Sequence, residues 1–349
     1  MPDGKHIRES FAKQAMWCEQ LGSPFTARLL LGLGQHLNRN SKTGRRVLDW
    51  QGRADALGDA VALRLAGALN AQVRQGGLQG LAKHYPPYSL PSIEVLTDAA
   101  LAAIDQADDE ICRWLDFAPQ TNEVARAAVL YPGLCQIAQE TGLPLAVYEL
   151  GASGGLNLFA DRFAYHFGAE VRGKPNSTVI LKPEWSGGSP PVATPQIIRR
   201  KGCDRSPLDV SRADHRARLM AYIWPDQAER IARITAAISI AQKDPPEVAQ
   251  AEVADWVEEQ IEPEPETGVT RVLFHSIAHQ YFPDTAKQRI SERMRAAGER
   301  ATDDAPLAWL AFEQKSDWGP HLTLRLWPGG KLRELAVAGA HVHKVDWKG

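Results

Sequence analysis

The segment VYELGASGGLNLFADRF, residues 147–163, has the residue types and spacing best suited to ligand chemistry. An apolar run ends in Glu149, a cluster of small residues follows, and a helix is predicted to begin near Leu156. Small residues let the backbone approach a ligand closely, while N–H groups and the positive end of the helix dipole face it. The sequence therefore predicts a cofactor site here, with contacts from Glu149, Gly151, Ser153, Gly155 and Asn157.

Three chemistries compete for this turn, and the first is dinucleotide binding. A dinucleotide fingerprint needs the spacing G-x-G-x-x-G, which fits the start of a helix to a pyrophosphate. Here the small residues stand at positions 151, 153 and 155, so the third glycine comes one residue early. An acid also precedes the first glycine by two positions. This interpretation is the least favoured of the three.

The second chemistry is that of a serine hydrolase. The same residues spell G-x-S-x-G, the nucleophile elbow of α/β-hydrolases, with Ser153 as the attacking hydroxyl. Chain order permits Asp255 or Asp284 as the acid and either of two late histidines, at positions 341 and 343, as the base. However, the elbow strand would be the first strand of the chain, and no upstream segment resembles one that completes an oxyanion hole. We therefore place this interpretation second.

The third chemistry is suggested by a resemblance. An apolar strand followed by Glu149-x-Gly-x-Ser-x-Gly resembles motif I of the Rossmann-like S-adenosylmethionine-dependent methyltransferases, with Ser153 replacing the middle glycine. The acid suits this cofactor, because its amino-acid end bears a cation and no diphosphate has to be accommodated. We favour this interpretation. A protein that kept the fold and binds a ligand without catalysis is a further alternative.

The methyltransferase pattern implies roles for acids at the ends of later strands. Glu184, after VILKP, is the candidate for the ribose hydroxyls, because a carboxylate accepts two hydrogen bonds from a diol. It lies farther from the glycine turn than the roughly 20 residues typical of dinucleotide sites, so an insertion is assumed. Asp204 and Asp209 are alternatives, although both suit turns around Pro207. Asp255 is the candidate for the adenine amino group, with the next residue, a tryptophan, available for stacking.

Two histidines follow a predicted strand in VLFHSIAHQYF. The corresponding strand end faces the methyl-donor sulfur in methyltransferases, so His275 or His279 is the predicted general base, and Tyr281 completes the catalytic candidates. The segment departs from the Asn/Asp-Pro-Pro-Tyr motif, which disfavours methylation of nucleobase amino groups. The pair lacks an obvious third ligand, so we expect no metal. His341 and His343 are expected on one face of a terminal strand, in a structural role.

The polar segment PQTNEVARAA supplies candidates for substrate binding. Asn122 and Arg126 are four residues apart and share a face of the predicted helix 122–138, which Pro132 should kink. With Gln120, they are predicted to cover the site and select the substrate. The alternative is an N-cap at Thr121 or Asn122 with a solvated arginine.

Two kinds of region must position these residues. The first 140 residues look helical: a four-residue apolar period from Leu57 to Val73 stops at a Gly-Gly pair, and Ser92 is a predicted N-cap. From Leu143 onward, predicted strands alternate with helices, which is typical of a doubly wound, mostly parallel α/β sheet. The segment WPGGK predicts a hairpin and so an antiparallel edge. We therefore expect a helical region over 1–140 and a Rossmann-like domain over 141–349.

Composition limits the partners. The chain has 349 residues, with 40 Lys+Arg against 42 Asp+Glu, which argues against a protein that holds nucleic acid on a basic surface. A small molecule is the expected acceptor. Four scattered cysteines, the lack of an apolar signal segment and the lack of a membrane-length apolar run lead us to expect a cytoplasmic protein.

The chain as a whole resembles a bacterial family catalogued as domain of unknown function 2332. The segments that carry this resemblance are PQTNEVARAA, ELGASGGLNL, RKGCDRSPLDV, AYIWPDQAERIARI, VLFHSIAHQYF and LRLWPGGKLRELAVAGAHVH. The resemblance implies a Rossmann-like, methyltransferase-type domain behind an N-terminal helical region. It does not supply a reaction.

Overall fold

The computed structural model describes residues 4–261, 264–316 and 319–349. The α-helices in these ranges are α1 (Lys5–Gln20), α2 (Pro24–His36), α3 (Lys42–Leu48), α4 (Val61–Arg74), α5 (Gln79–Ala82), α6 (Ile93–Gln106), α7 (Asp108–Trp114), α8 (Ala127–Thr141), α9 (Ala213–Ala221), α10 (Ala228–Ala241), α11 (Val253–Ile261) and α12 (Asp284–Glu299). Short 3-10 helices cover Val124–Arg126, Leu156–Arg162 and His279–Tyr281.

The strands in the same ranges alternate with the later helices. They are β1 (Leu145–Leu150), β2 (Ala164–Phe167), β3 (Glu170–Gly173), β4 (Ile180–Leu181), β5 (Glu184–Gly187), β6 (Ile197–Asp204), β7 (Glu247–Gln250), β8 (Thr270–Ser276), β9 (Leu307–Ser316), β10 (Gly319–Trp327), β11 (Leu332–Ala338) and β12 (Lys344–Trp347).

The chain divides into two compact units. The first unit consists of two chain segments, Met1–Thr121 and Ala213–Ala232. The second unit consists of Asn122–Arg212 and Arg233–Gly349. The expected boundary at residue 140 therefore differs from the observed division in two ways. Helix α8 groups with the sheet, because it packs on β9 and β10, and α9 groups with the first unit, because it packs on α4.

The first unit is helical, as the apolar periodicity predicts. The side chain of Ser92 accepts a hydrogen bond from the amide of Val95, so the predicted N-cap of α6 is confirmed. Helix α4 begins at Val61, and Leu57, which the four-residue period included, lies outside it and is 66% exposed. The returning segment is held by the amide of Asn70, which donates to the carbonyl groups of Ala221 and Ile223.

The second unit is built on a nine-stranded sheet in the order β5-β12-β11-β10-β9-β8-β1-β6-β7. Strands β9, β8, β1, β6 and β7 are mutually parallel neighbours, and the pairs β9–β10, β10–β11 and β11–β12 are antiparallel. The predicted hairpin and antiparallel strands are thus confirmed. A second sheet, in the order β3-β2-β4, is formed by the chain between β1 and β5.

The order of the parallel strands defines where a ligand crevice can form. From β1 the chain continues to β6 and β7 on one side, and β8 then lies on the other side of β1. In open α/β sheets, ligands bind at such a reversal, beyond the carboxyl ends of the strands. The glycine turn follows β1 and the histidine segment follows β8, so both predicted site segments lie at this reversal.

Side chains of β1 and β8 alternate between the two faces of the sheet. Tyr148 and Leu150 pack in the core cluster that includes residues of α11 and α12, so Glu149 faces the other way. Leu150 is the register partner of His275, which places the His275 side chain on the α11–α12 face. Glu149 and His275 therefore lie on opposite faces of the sheet.

Candidate functional site

The glycine turn after β1 is tightly packed against the protein itself. Gly151 and Gly155 have φ values of +66° and +69°, and Ser153 has a φ of +55°. A Cβ added at Gly151 would lie 2.8 Å from the Cβ of Ala278, and one at Gly155 would lie 2.8 Å from the Cγ of Pro246. The glycines are therefore required by backbone conformation and by the close approach of other parts of the chain.

The segment after the turn differs from the predicted helix. It is a seven-residue 3-10 helix, Leu156–Arg162, with a non-helical backbone at Phe159. Such a short, distorted segment does not supply the aligned dipole that the sequence suggested. The N–H of Leu156 donates instead to Oδ1 of Asn122 at 2.9 Å. The prediction of an α-helix with free N–H groups at this point is thus wrong.

The segment TNEVAR braces the turn. Besides the Asn122 bond, the amide of Asn157 donates to the carbonyl oxygen of Glu123 at 3.4 Å, and Arg126 Nη1 donates to the carbonyl oxygen of Ser276 at 2.8 Å. Asn122 is 5% exposed, so its observed role is to position the turn. Gln120 belongs to the first unit, and its role in substrate binding stays a prediction.

Three buried polar atoms around the turn have no hydrogen-bond partner among the described residues. They are Oε2 of Glu149, Oγ of Ser153 and Oδ1 of Asn157. Each side chain is at most 3% exposed. Burial raises the pKa of Glu149 well above its usual value, with Arg126 opposing the shift and Asp204 adding to it. Unpaired buried polar atoms are costly, and a concentration of them is a feature of sites that receive a polar group.

Asp204, and not Glu184, lies beside the glycine turn. It ends β6, the strand beside β1, and its carboxylate accepts from the N–H of Ser153 at 2.9 Å and of Ser206 at 2.8 Å. Glu184 lies in β5 at the far edge of the sheet, six strands or about 29 Å from β1 at about 4.8 Å per strand. The structure therefore does not bring Glu184 to the glycine turn, and its contact with a cofactor ribose stays a prediction.

The observed position of Asp255 also differs from the predicted one. Strand β7 ends at Gln250, and Asp255 lies in the first turn of α11, where its carboxylate accepts from Arg289 Nη2 at 2.8 Å. The next residue, Trp256, is buried against the ring of Tyr148. Asp255 thus lies in α11 and not directly at the end of β7, and its contact with an adenine stays a prediction.

Both ring nitrogens of His275 are hydrogen-bonded to other side chains. Nδ1 lies 2.7 Å from Oε1 of Glu313, and the indole N–H of Trp309 donates to Nε2 at 3.0 Å. An indole nitrogen is only a donor, so Nε2 must be the acceptor and the ring proton must be on Nδ1. His275 is 2% exposed, so its ring is enclosed by these partners. It is not placed to accept a proton from a substrate.

Glu313, which the sequence analysis missed, organises the histidine segment. Its Oε1 also accepts from the backbone N–H groups of Ala278 at 3.0 Å and His279 at 3.1 Å. Burial acts to raise the pKa of this carboxyl, but the bonds from His275 and the two amides outweigh it, and the pKa is lowered. These bonds hold the turn in which Ile277 has a φ of +49°.

His279 is the more accessible of the two histidines. Its ring stacks on that of His275, with centroids 5.2 Å apart and planes 17° apart, and it is half-buried. Burial lowers the pKa of His279 to about 4, with His275 acting in the same direction and Glu313 against it. Tyr281 is 54% exposed, at the end of the 3-10 helix that His279 begins.

The residues that a serine hydrolase would need are not brought together. The hydroxyl of Ser153 has no hydrogen-bond partner among the described residues. His341 and His343 lie in the turn between β11 and β12, not on a strand, and β12 is five strands or about 24 Å from β1 at about 4.8 Å per strand. Asp284 is exposed and pairs with Lys287.

Residues 4–261, 264–316 and 319–349 lack both a metal-holding cluster and a membrane-spanning helix. In these ranges, no group of three or more His, Cys, Asp or Glu side chains is arranged to hold a metal ion. None of the helices there combines the length and the apolar character required to span a bilayer.

The fold and the site define an α/β protein with a large, mostly parallel central sheet and an acid-bearing glycine turn at its strand reversal. Residues 8–347 match the family described as "Uncharacterized protein conserved in bacteria (DUF2332)", and the chain belongs to this family. Comparisons with curated proteins and with solved structures gave no match.

Proposed function

We propose that the protein is an S-adenosylmethionine-binding, methyltransferase-like enzyme that acts on a small-molecule acceptor. The observation that carries the proposal is the set of unpaired buried atoms of Glu149, Ser153 and Asn157 at the strand reversal. A carboxylate, a hydroxyl and an amide oxygen can all accept hydrogen bonds, so together they suit a ligand with an ammonium group. The amino-acid end of S-adenosylmethionine is such a group.

The acids around the turn favour this cofactor over a dinucleotide. Glu149 and Asp204 lie on the two neighbouring strands whose carboxyl ends flank the turn. A diphosphate there would be repelled by the Asp204 carboxylate, whereas a cationic ligand would be attracted. The Asp204 carboxylate accepts from the backbone N–H groups of Ser153 and Ser206 beside the turn, and a carboxylate there is suited to accept hydrogen bonds from ribose hydroxyls.

Each of these side chains has a separate role in the proposed reaction. When bound, the cofactor would supply an electrophilic methyl group on a sulfonium. Glu149, Ser153 and Asn157 bind its ammonium end, and Asp204 orients its ribose. His279 takes up the proton that a hydroxyl or amine acceptor releases on methylation. The near-neutral charge of the chain favours a small acceptor over bulk nucleic acid.

Isothermal titration calorimetry with S-adenosylmethionine and with its demethylated product tests the proposal. Binding of at least one of them, with no comparable binding of NAD, is the expected result. Absence of binding by both to a folded protein would overturn it.

The serine esterase alternative has its own test. It expects covalent labelling of Ser153 by a fluorophosphonate probe, and loss of labelling in Ser153→Ala. The buried hydroxyl without a histidine partner argues against this outcome. If the protein binds the cofactor without catalysis, His279→Ala should still bind the cofactor, and no acceptor class should be methylated.

A further inference from the structure

We infer that Trp309 and Glu313 are positioning residues for the proposed acid–base group His279: Trp309 holds the neighbouring His275 as the Nδ1–H tautomer, and Glu313 links that ring to the loop that carries His279. The acid–base role rests on the proposed function. The positioning roles rest on the hydrogen bonds alone, and they can be tested without a cofactor.

Trp309 determines the protonation state of His275. Its indole N–H points at Nε2 from 3.0 Å, and that nitrogen can accept the bond only while it carries a lone pair. If His275 were an imidazolium, its Nε2–H would face the indole N–H of Trp309. One buried donor would then lack an acceptor, at a cost of about 1 to 3 kcal/mol. His275 is therefore held neutral even though Glu313 lies 2.7 Å from its other nitrogen.

Glu313 connects this fixed ring to the loop that carries His279. One oxygen, Oε1, accepts from the His275 ring and from the backbone N–H groups of Ala278 and His279. The His279 backbone is thus held by the same carboxylate that orients His275. The other oxygen, Oε2, is buried and has no hydrogen-bond partner among the described residues. The hydrogen bonds of Oε1 therefore keep the carboxylate next to the loop.

Three charged or titratable groups face the His279 ring. They are His275 on β8, Glu313 on β9 and Lys287 on α12. Burial is the main influence that lowers the pKa of His279 and keeps its ring unprotonated near neutral pH. A neutral His279 can accept a proton, whereas both nitrogens of His275 are already bonded. The proton acceptor in this pair is therefore His279.

Nuclear magnetic resonance of the ¹⁵N-histidine-labelled full chain tests the inference. Long-range ¹H–¹⁵N spectra distinguish the two neutral tautomers and the imidazolium. In the wild-type protein, His275 should show the Nδ1–H tautomer at neutral pH. His279 should titrate with a midpoint below the ordinary histidine value of about 6.5. Signals are assigned with His275→Gln and His279→Gln.

Two variants test the positioning roles. Trp309→Phe removes the donor to Nε2, so His275 should no longer be held in the Nδ1–H tautomer, and the imidazolium signal, which the neighbouring Glu313 carboxylate favours, should appear. Trp327→Phe changes a tryptophan of the same core cluster and should leave His275 unchanged. Glu313→Gln keeps an acceptor oxygen but removes the charge, so the His279 midpoint should fall further.

The wild-type spectra alone can overturn the inference, even if a variant does not fold. An Nε2–H tautomer or an imidazolium at His275 at neutral pH would contradict it. So would a folded Trp309→Phe protein in which His275 remains entirely the Nδ1–H tautomer. None of these results depends on cofactor binding, so the inference and the proposed function can fail separately.

Discussion

Ala278 fills the space beside Gly151, since its Cβ lies 2.8 Å from where a Cβ at Gly151 would stand. Gly151 opens the turn after β1, and Ala278 lies in the loop after β8. This contact joins the proposed ligand turn to the loop that carries His279, although Glu149 and His275 face opposite sides of the sheet. The Arg126 bond to the Ser276 carbonyl joins the same two regions a second time.

Gly151→Ala should destabilise the protein by about 2 to 4 kcal/mol, because it combines a positive φ with overpacking against Ala278. Gly142→Ala is the matched control: Gly142 has the same φ of +66° but nothing within 4 Å of its added Cβ. It should cost only about 1 to 2 kcal/mol. Urea unfolding followed by tryptophan fluorescence measures both. Adding Ala278→Gly to Gly151→Ala should recover part of the loss, and equal losses in the two single variants would refute the packing argument.

Asn122→Ala should lower the free energy of unfolding by about 1 to 3 kcal/mol, because it leaves the buried N–H of Leu156 without its acceptor. It should also weaken cofactor binding, since the turn loses its brace. Asn70→Ala is a control of similar burial whose bonds to Ala221 and Ile223 lie in the first unit. It should lower stability and leave cofactor affinity unchanged. If both variants lose affinity equally, Asn122 has no specific role at the turn.

Glu149→Gln should make the protein more stable at neutral and alkaline pH. Burial raises the pKa of the Glu149 carboxyl, so above the ordinary pKa the folded state binds more protons than the unfolded state. The wild-type protein therefore loses this contribution as pH rises through the folded pKa, and glutamine does not. The gain, measured by urea unfolding at pH 5 and at pH 8, should be larger at pH 8. A loss of stability that does not change with pH would show that Glu149 is a structural carboxylate.

The low pKa of His279 should make the fold less stable in mild acid. Since burial lowers its pKa to about 4, the unfolded state binds more protons than the folded state between pH 4 and 6.5. This contribution decreases as pH falls through that window, by about 1 to 2 kcal/mol in total because the half-exposed ring is screened by solvent. His279→Gln should flatten that part of the stability profile. His6→Gln, at an exposed position, should not.

Strong local patterns predicted most of the elements that frame the site. Strand β1 is a continuous buried apolar run, and α12 has an apolar stripe, so burial and sequence agree there. Strand β6 was missed, because IIRRKGCD contains four charged residues in eight positions. Arg200 pairs with Asp161, Arg199 with Glu266 and Lys201 with Glu247, contacts that sequence spacing cannot reveal.

The choice of Glu184 over Asp204 follows from missing β6. Without that strand, the next apolar run after the glycine turn was taken as the neighbour of β1, so the acid after it was chosen instead of Asp204. Glu313 was missed for a different reason. It stands in an apolar strand, LAWLAFEQ, and only the observed pairing of β8 with β9 brings it to His275. An acid in an otherwise apolar strand was the one signal available for it.

The most direct test of the proposed function compares S-adenosylmethionine binding by the wild-type protein, Glu149→Gln and Glu184→Gln in one calorimetric series. Glu184 serves as the control, because it is an exposed glutamate at the far edge of the same sheet. Glu149→Gln should weaken binding by about 10- to 100-fold, as expected for loss of a charge-assisted hydrogen bond, and Glu184→Gln should bind like the wild type. If neither the wild-type protein nor Glu184→Gln binds the cofactor while both are folded, or if Glu149→Gln binds it equally well, the account is contradicted.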